Sequence, residues 1–149
     1  MSTPIKTLVL NSIKSCVVPL IGDANRVFLD PSRGLREETT EPYANIFTDA
    51  ESSKKLDLWS EKSFQIEVHT WVKADTDDKA REAAILLSAQ IQQVLLMRDS
   101  ASRQFTTYFE EAGGNCHDVL FYREGLCVAV SRYDVKYRHT YGNPFQLNP

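Results

Sequence analysis

Near the middle of the chain, Phe64, Ile66, Val68, Thr70 and Val72 alternate with Gln65, Glu67, His69 and Trp71. Successive side chains of an extended segment point to opposite faces, so this pattern predicts a β-strand with one buried face. Directly after it, Asp75-Thr76-Asp77-Asp78 offers side-chain caps and negative charge, and a helix N-terminus favours both. Ala80, Ala84, Leu87, Ile91, Val94 and Leu95 then recur at helical spacing. They predict a helix to about Arg98 whose small early residues permit close approach to a sheet.

The flanking segments fill in the same plan. Ile5, Leu8, Val9, Ile13, Cys16 and Val17 line one face of a helix over residues 3–18. Thr3 is placed to cap it, Pro4 to occupy its first position, and Pro19 and Gly22 to end it. Residues 26–30 read as a short strand, and Pro31-Ser-Arg-Gly34 as a turn followed by a polar stretch to Glu41. Residues 43–48, entered through Pro42, read as another strand, and 49–55 as a polar loop. Residues 102–109 and 119–123 read as strands separated by Gly113-Gly114-Asn115, and Glu124-Gly125 as a tight turn into a last strand, 126–139. In that strand Leu126, Val128 and Val130 alternate in one phase and Tyr133, Val135 and Tyr137 in the other. A bulge near Ser131 or Arg132 is therefore expected. The tail, 141–149, reads as an arm or docking segment. The order of elements predicts a single α+β domain with two main helices on a mostly antiparallel or mixed sheet.

Composition narrows the function. A chain of 149 residues with 42% apolar and 25% charged residues is the size and make-up of one ordinary globular domain. A formal net charge of −3 opposes a dedicated nucleic-acid binder, which needs a Lys/Arg surplus on some face. The N-terminal residues lack the features of a secretory signal, and the apolar runs are too short to cross a membrane. Cys16, Cys116 and Cys127, odd in number and widely spaced, fit reduced thiols, with no disulfide within the chain.

The densest chemical cluster is Glu110-Glu111 followed by Gly113-Gly114-Asn115-Cys116-His117-Asp118. A Cys/His pair needs converging side chains and a third group to orient the base, whereas strand neighbours point apart, so a polar hairpin loop is expected. His69, His117 and His139 are isolated, without metal-ligand spacing, and no phosphate-cradling glycine motif occurs. No catalytic residue, metal or cofactor is expected. Arg132, Lys136 and Arg138 with interleaved Tyr133, Tyr137 and Tyr141 have the form of a base-stacking groove, but Asp134 and the acidic total favour a solvated or subunit-facing strand. Leu56, Leu58 and Trp59 stand out between Lys54-Lys55 and Glu61-Lys62, and Tyr141, Pro144, Phe145 and Leu147 do so in the tail. Large apolar residues in such polar settings mark either core cover or a partner interface.

Three segments carry a resemblance. Pro42-Tyr-Ala-Asn-Ile-Phe-Thr-Asp-Ala-Glu51 is a proline-led strand ending in an acidic turn. Residues 64–78 are a central strand running into an acidic helix cap, and 124–137 a final hairpin strand. In these and in element order the chain resembles the phage tail terminator (minor tail protein U-like) family. It departs from that family in the Cys116-His117 loop and in a longer tail after Tyr137. The resemblance implies a non-enzymatic virion protein assembled in the host cytoplasm. It would form a ring, usually hexameric, that caps the tail tube, stops its polymerisation and joins the head connector, with DNA passing the lumen unbound. A closed ring offers two distinct faces for two partners, and the polar loops 35–41 and 49–55 are candidates for them. A head–tail completion or neck protein of the same fold is the alternative, and a small cytoplasmic enzyme using Cys116 and His117 a more distant one.

Overall fold

The computed structural model describes residues 3–31, 41–97, 104–112 and 117–147, of which 117–123 and 147 are described as backbone only. Its elements are α1 (Ile5–Ile21), a 3-10 turn (Ala24–Arg26), β1 (Val27–Leu29), β2 (Tyr43–Thr48), β3 (Ser52–Leu56), β4 (Trp59–Lys73), α2 (Asp77–Leu96), β5 (Tyr108–Glu111), β6 (His117–Arg123), β7 (Leu126–Thr140) and β8 (Asn143–Leu147). All eight strands join one mixed sheet, and both helices pack on one of its faces. The expected α+β domain is what the chain forms.

The sheet is organised by β4 and β7, antiparallel partners of 15 residues each. The far side of β4 takes β2 along its second half and β3 along its first, and β1 adds to β2 in parallel. The far side of β7 takes β6, β5 and β8 in turn along its length. Phe64, Ile66 and Val68 of β4 and Tyr133, Val135 and Tyr137 of β7 face the helices. There they meet Ile5, Val9, Ile13, Val17 and Ile21 of α1 and Ile91 and Leu95 of α2 in the main core.

The helices obey capping physics with two departures. The side chain of Thr76 accepts from the Lys79 N–H at the start of α2, whose buried residues are Ala80, Ala84, Ser88, Ile91 and Leu95. Leu87 and Val94, expected in that stripe, are only half-buried. In α1 the N-cap position belongs to Pro4, not Thr3, and no side chain caps it. Pro19 does not end α1 but lies in its last turn, where it deletes one backbone bond at a solvent-facing position. Ile21 remains anchored in the core, and Gly22, at φ +91°, closes the helix by donating to the Val18 carbonyl at 2.8 Å.

Two expectations about the strands are overturned. Residues 52–56, expected within a polar loop, form β3. Ser52 to Lys55 are exposed, so the strand has no buried face to create an alternation and is held by its ladder to β4. The bulge expected near Ser131 or Arg132 does not occur, because β4 and β7 stay in register from Trp59↔Thr140 to Lys73↔Leu126. The change of phase has another origin. The outer face is also buried at one end, where Leu126, Val128 and Val130 pack with Tyr43 and Trp71 in a second cluster. The Tyr43 and Trp71 rings stack at 5.9 Å. β5 begins later than expected, at Tyr108. Residues 32–40, 98–103 and 113–116, which hold most of one expected turn, a polar loop and the Gly-Gly-Asn segment, lie outside the described residues.

Candidate interaction surface

Past residue 63 toward its N-terminus, β4 leaves β2 behind and pairs with β3, while the matching end of β7 pairs with β8. This end forms an arm closed by two hairpin turns. One holds Asp57, at φ +54°, and the other holds Gly142, at φ +78°. The Tyr141 N–H donates to the Leu58 carbonyl at 3.0 Å, so the two turns sit side by side. Register explains the meeting, since Trp59 pairs with Leu56 on one side and with Thr140 on the other.

The arm therefore gathers two apolar groups that are far apart in sequence. Leu58 is 74% exposed, Tyr141 57% and Phe145 47%. Leu56 and Trp59 are half-buried and Pro144 is exposed. The Arg138 guanidinium lies 5.7 Å from the Trp59 ring centre and Lys55 Nζ 4.5 Å from that of Tyr141, so the rings are flanked by cations. Leu147, described as backbone only, pairs with His139. The expected arm over 141–149 thus begins as a turn and a short strand folded against β7.

Between the arm and the second cluster, the outer face is a ladder of polar pairs. Arg138 reaches Glu61 at 3.1 Å, Gln65 donates to Asp134 at 3.2 Å, and Arg132 reaches Glu67 at 3.3 Å. His69 donates from Nε2 to Glu67 at 2.8 Å and stands edge-on to Phe47 at 4.8 Å. The hydrogen bond from His69, reinforced by Arg132 against some desolvation, holds the Glu67 carboxyl below the usual carboxylate range. On the inner face the Tyr137 hydroxyl donates to Glu51 at 2.8 Å, and Lys6 reaches the same carboxylate at 3.5 Å. Burial, with Glu51 beside it, pushes the Tyr137 hydroxyl well above its ordinary range.

The stripe of bases and tyrosines on β7 is split by this geometry. Arg132, Lys136 and Arg138 lie on the outer face, whereas Tyr133 and Tyr137 are buried on the inner one, at 0% and 3% exposure. They do not form one stacking groove. Cys116 lies outside the described residues, and His117 opens β6 with only its backbone described. Among the described residues no three His, Cys, Asp or Glu side chains gather as metal ligands. Neither Cys16 nor Cys127 is in a disulfide, and burial pushes the Cys127 thiol up, away from reactive thiolate. An open cleft of about 480 Å³ crosses the outer face beside Asp49, Ser63, Gln65, Tyr108, Asp134 and Lys136. Both of its aspartates accept from Gln65, Asp49 from the backbone N–H at 2.6 Å and Asp134 from the side chain.

One surface escaped the reading of the sequence. Residues 83–97 carry no Lys, Arg, Asp or Glu, although only one side of α2 meets the core. Its other side leaves Ile85 47%, Leu86 61% and Met97 75% exposed. The signal was the missing charge, since a helix covering a sheet needs an apolar stripe on one side only. Comparison with protein-family models finds no match, and comparison with curated proteins finds none either.

Proposed function

We propose that the chain is a structural subunit of a phage-tail-like particle. In this reading it is a ring-forming terminator that caps the tail tube, stops its growth and offers the head connector a joining surface. The observation that carries the reading is the arm. Leu58, Tyr141 and Phe145 come from two segments more than eighty residues apart, and they are held exposed at one end of the sheet by a backbone hydrogen bond. Covering each would recover on the order of 1 kcal/mol, a gain a folded monomer leaves unused and a subunit contact collects.

The order of elements supports the same reading, with a helix, short strands, a long strand, a second helix and closing strands in the sequence the resemblance implies. The pairing of Arg132 and Arg138 with glutamates and the net charge of −3 suit a lumen that DNA crosses without sticking. Native mass spectrometry of the purified chain, with negative-stain images in the presence of its tail-tube protein, tests the proposal. Closed rings, or tubes capped at one end, are expected. A chain that stays monomeric and leaves tubes uncapped overturns it.

A further inference from the structure

Among the described residues, six of the seven exposed large hydrophobic side chains fall into two patches. Leu58, Tyr141 and Phe145 crown the arm, and Ile85, Leu86 and Met97 lie on the outward side of α2. Each patch remains exposed in its own chain, so neither covers the other within one molecule. The arm ends in two hairpin turns held side by side, whereas the helix presents an exposed side on which Leu86, Ala89, Gln90 and Gln93 carry no charge. The two patches are different surfaces, built from different elements.

The charges beside the two patches are opposite in balance. On the arm Lys54 and Lys55 stand with Asp57 beside Leu58, two bases against one acid. At the start of α2, Asp75, Asp77, Asp78 and Glu82 stand with Lys79 and Arg81, four acids against two bases. Asp78, Glu82 and Leu86 follow one another at four-residue spacing, which aligns acid and apolar groups along one side of the helix. From these observations we infer that the α2 face is a docking surface for a second copy of this chain, and that its occupant is that copy's arm. Such a contact joins unlike surfaces, so repetition carries it around a ring instead of stopping at a two-fold dimer. The inference rests on the ring reading and adds to it which two surfaces meet.

A mixing experiment separates the two ideas. Leu58→Asp spoils the arm and keeps the face, and Leu86→Asp does the reverse. Each variant alone is expected to lose rings at least about tenfold, the effect of about 1.4 kcal/mol per contact. Mixed in equal amounts, they share one intact contact and form 1:1 dimers that grow no further, visible by native mass spectrometry. Rings that persist with Leu86→Asp, or a mixture that yields no dimer above either variant alone, overturn the inference while leaving the ring. Failure of the unmodified chain to form rings with or without tube protein overturns the ring reading itself. Thermal melts check folding, and if an aspartate variant does not fold, Leu58→Ser and Leu86→Gln replace the pair and are read by the same outcomes.

Discussion

The β4–β7 ribbon has the same ladder at both ends and different surroundings. From Phe64 to Lys73, paired with Val135 to Leu126, it is covered by both helices on its inner face, and near Trp71 and Val128 on its outer face as well. From Trp59 to Ser63, paired with Thr140 to Lys136, Tyr137 still reaches the core, but the ribbon runs on between β3 and β8 and exposes large side chains at its tip. Backbone pairing alone therefore does not decide what a strand contributes. The covered end supplies stability by excluding water from apolar surface. Beyond Tyr137, the tip of the arm is joined by backbone hydrogen bonds and offers Leu58, Tyr141 and Phe145 outward.

Truncating one side chain at each end should separate the two contributions most widely. Ile66 is fully buried at the covered end, so Ile66→Ala removes packed volume and should cost about 2–5 kcal/mol. Leu58→Ala, at a position 74% exposed, should change monomer stability by less than about 0.5 kcal/mol. Urea denaturation of both variants measures this. Comparable losses would mean that the arm is part of the folding core.

The same contrast explains what could be read before the fold was known. Strand β2, entered through Pro42, has the bounds expected of it although Tyr43 to Ile46 are buried on both faces, and Phe64 to Val72 and the capped start of α2 were legible because one continuous buried side writes a period into the sequence. β3 and the first residues of β4 were not, since Ser52 to Lys55 meet solvent and any polar residue serves there. The expected bulge in β7 misread a second buried face as a slip in register. Alternation shows that a face is covered but not how many faces are. For the surface, Leu56, Leu58 and Trp59 stood out as one apolar group in polar company, and Tyr141, Pro144, Phe145 and Leu147 as another. Their meeting depends on the pairing of Trp59 with Thr140, a long-range register that no local pattern encodes. The open side of α2 was hidden by the core stripe on its other side.

Two glycines sharpen the comparison with a smaller expected effect. Gly125, at φ +74°, turns the chain from β6 into β7 at the covered end, and Gly142, at φ +78°, turns it into β8 on the arm. Alanine at either position bears the left-handed conformation at about 1–2 kcal/mol. At Gly125 the added Cβ would also stand 2.4 Å from the Ala74 carbonyl oxygen, whereas at Gly142 it meets nothing within 4 Å. That oxygen belongs to the strand-to-helix junction, where the Ala74 N–H donates to the Gly125 carbonyl and Asp77 accepts from the Gly125 N–H. Gly125→Ala should therefore cost at least about 1 kcal/mol more than Gly142→Ala, the usual scale of overpacking. Melting temperatures of the two variants under one buffer decide it, and equal shifts would mean that the junction gives way freely.

The smallest effect is expected on the polar ladder between the two ends, where Glu67 takes both His69 and Arg132. Its carboxyl is held below the ordinary value of 4.5 in the folded chain, first by the hydrogen bond from His69. A group with a depressed folded pKa stabilises the fold fully above its unfolded value, and that contribution fades as pH falls through the folded value. Glu67→Gln should therefore lower stability by a constant amount above the ordinary carboxylate range. The gap to the unmodified chain should narrow once pH drops below about 4.5 and vanish below the depressed value. Because the Glu67 side chain is 37% exposed, solvent screens the pair, and the gap at neutral pH should stay under about 1 kcal/mol. Denaturation midpoints taken downward from pH 6 measure it. A gap that widens on acidification would reverse the sign and show that the unfolded chain, not the ladder, holds Glu67 more firmly ionised.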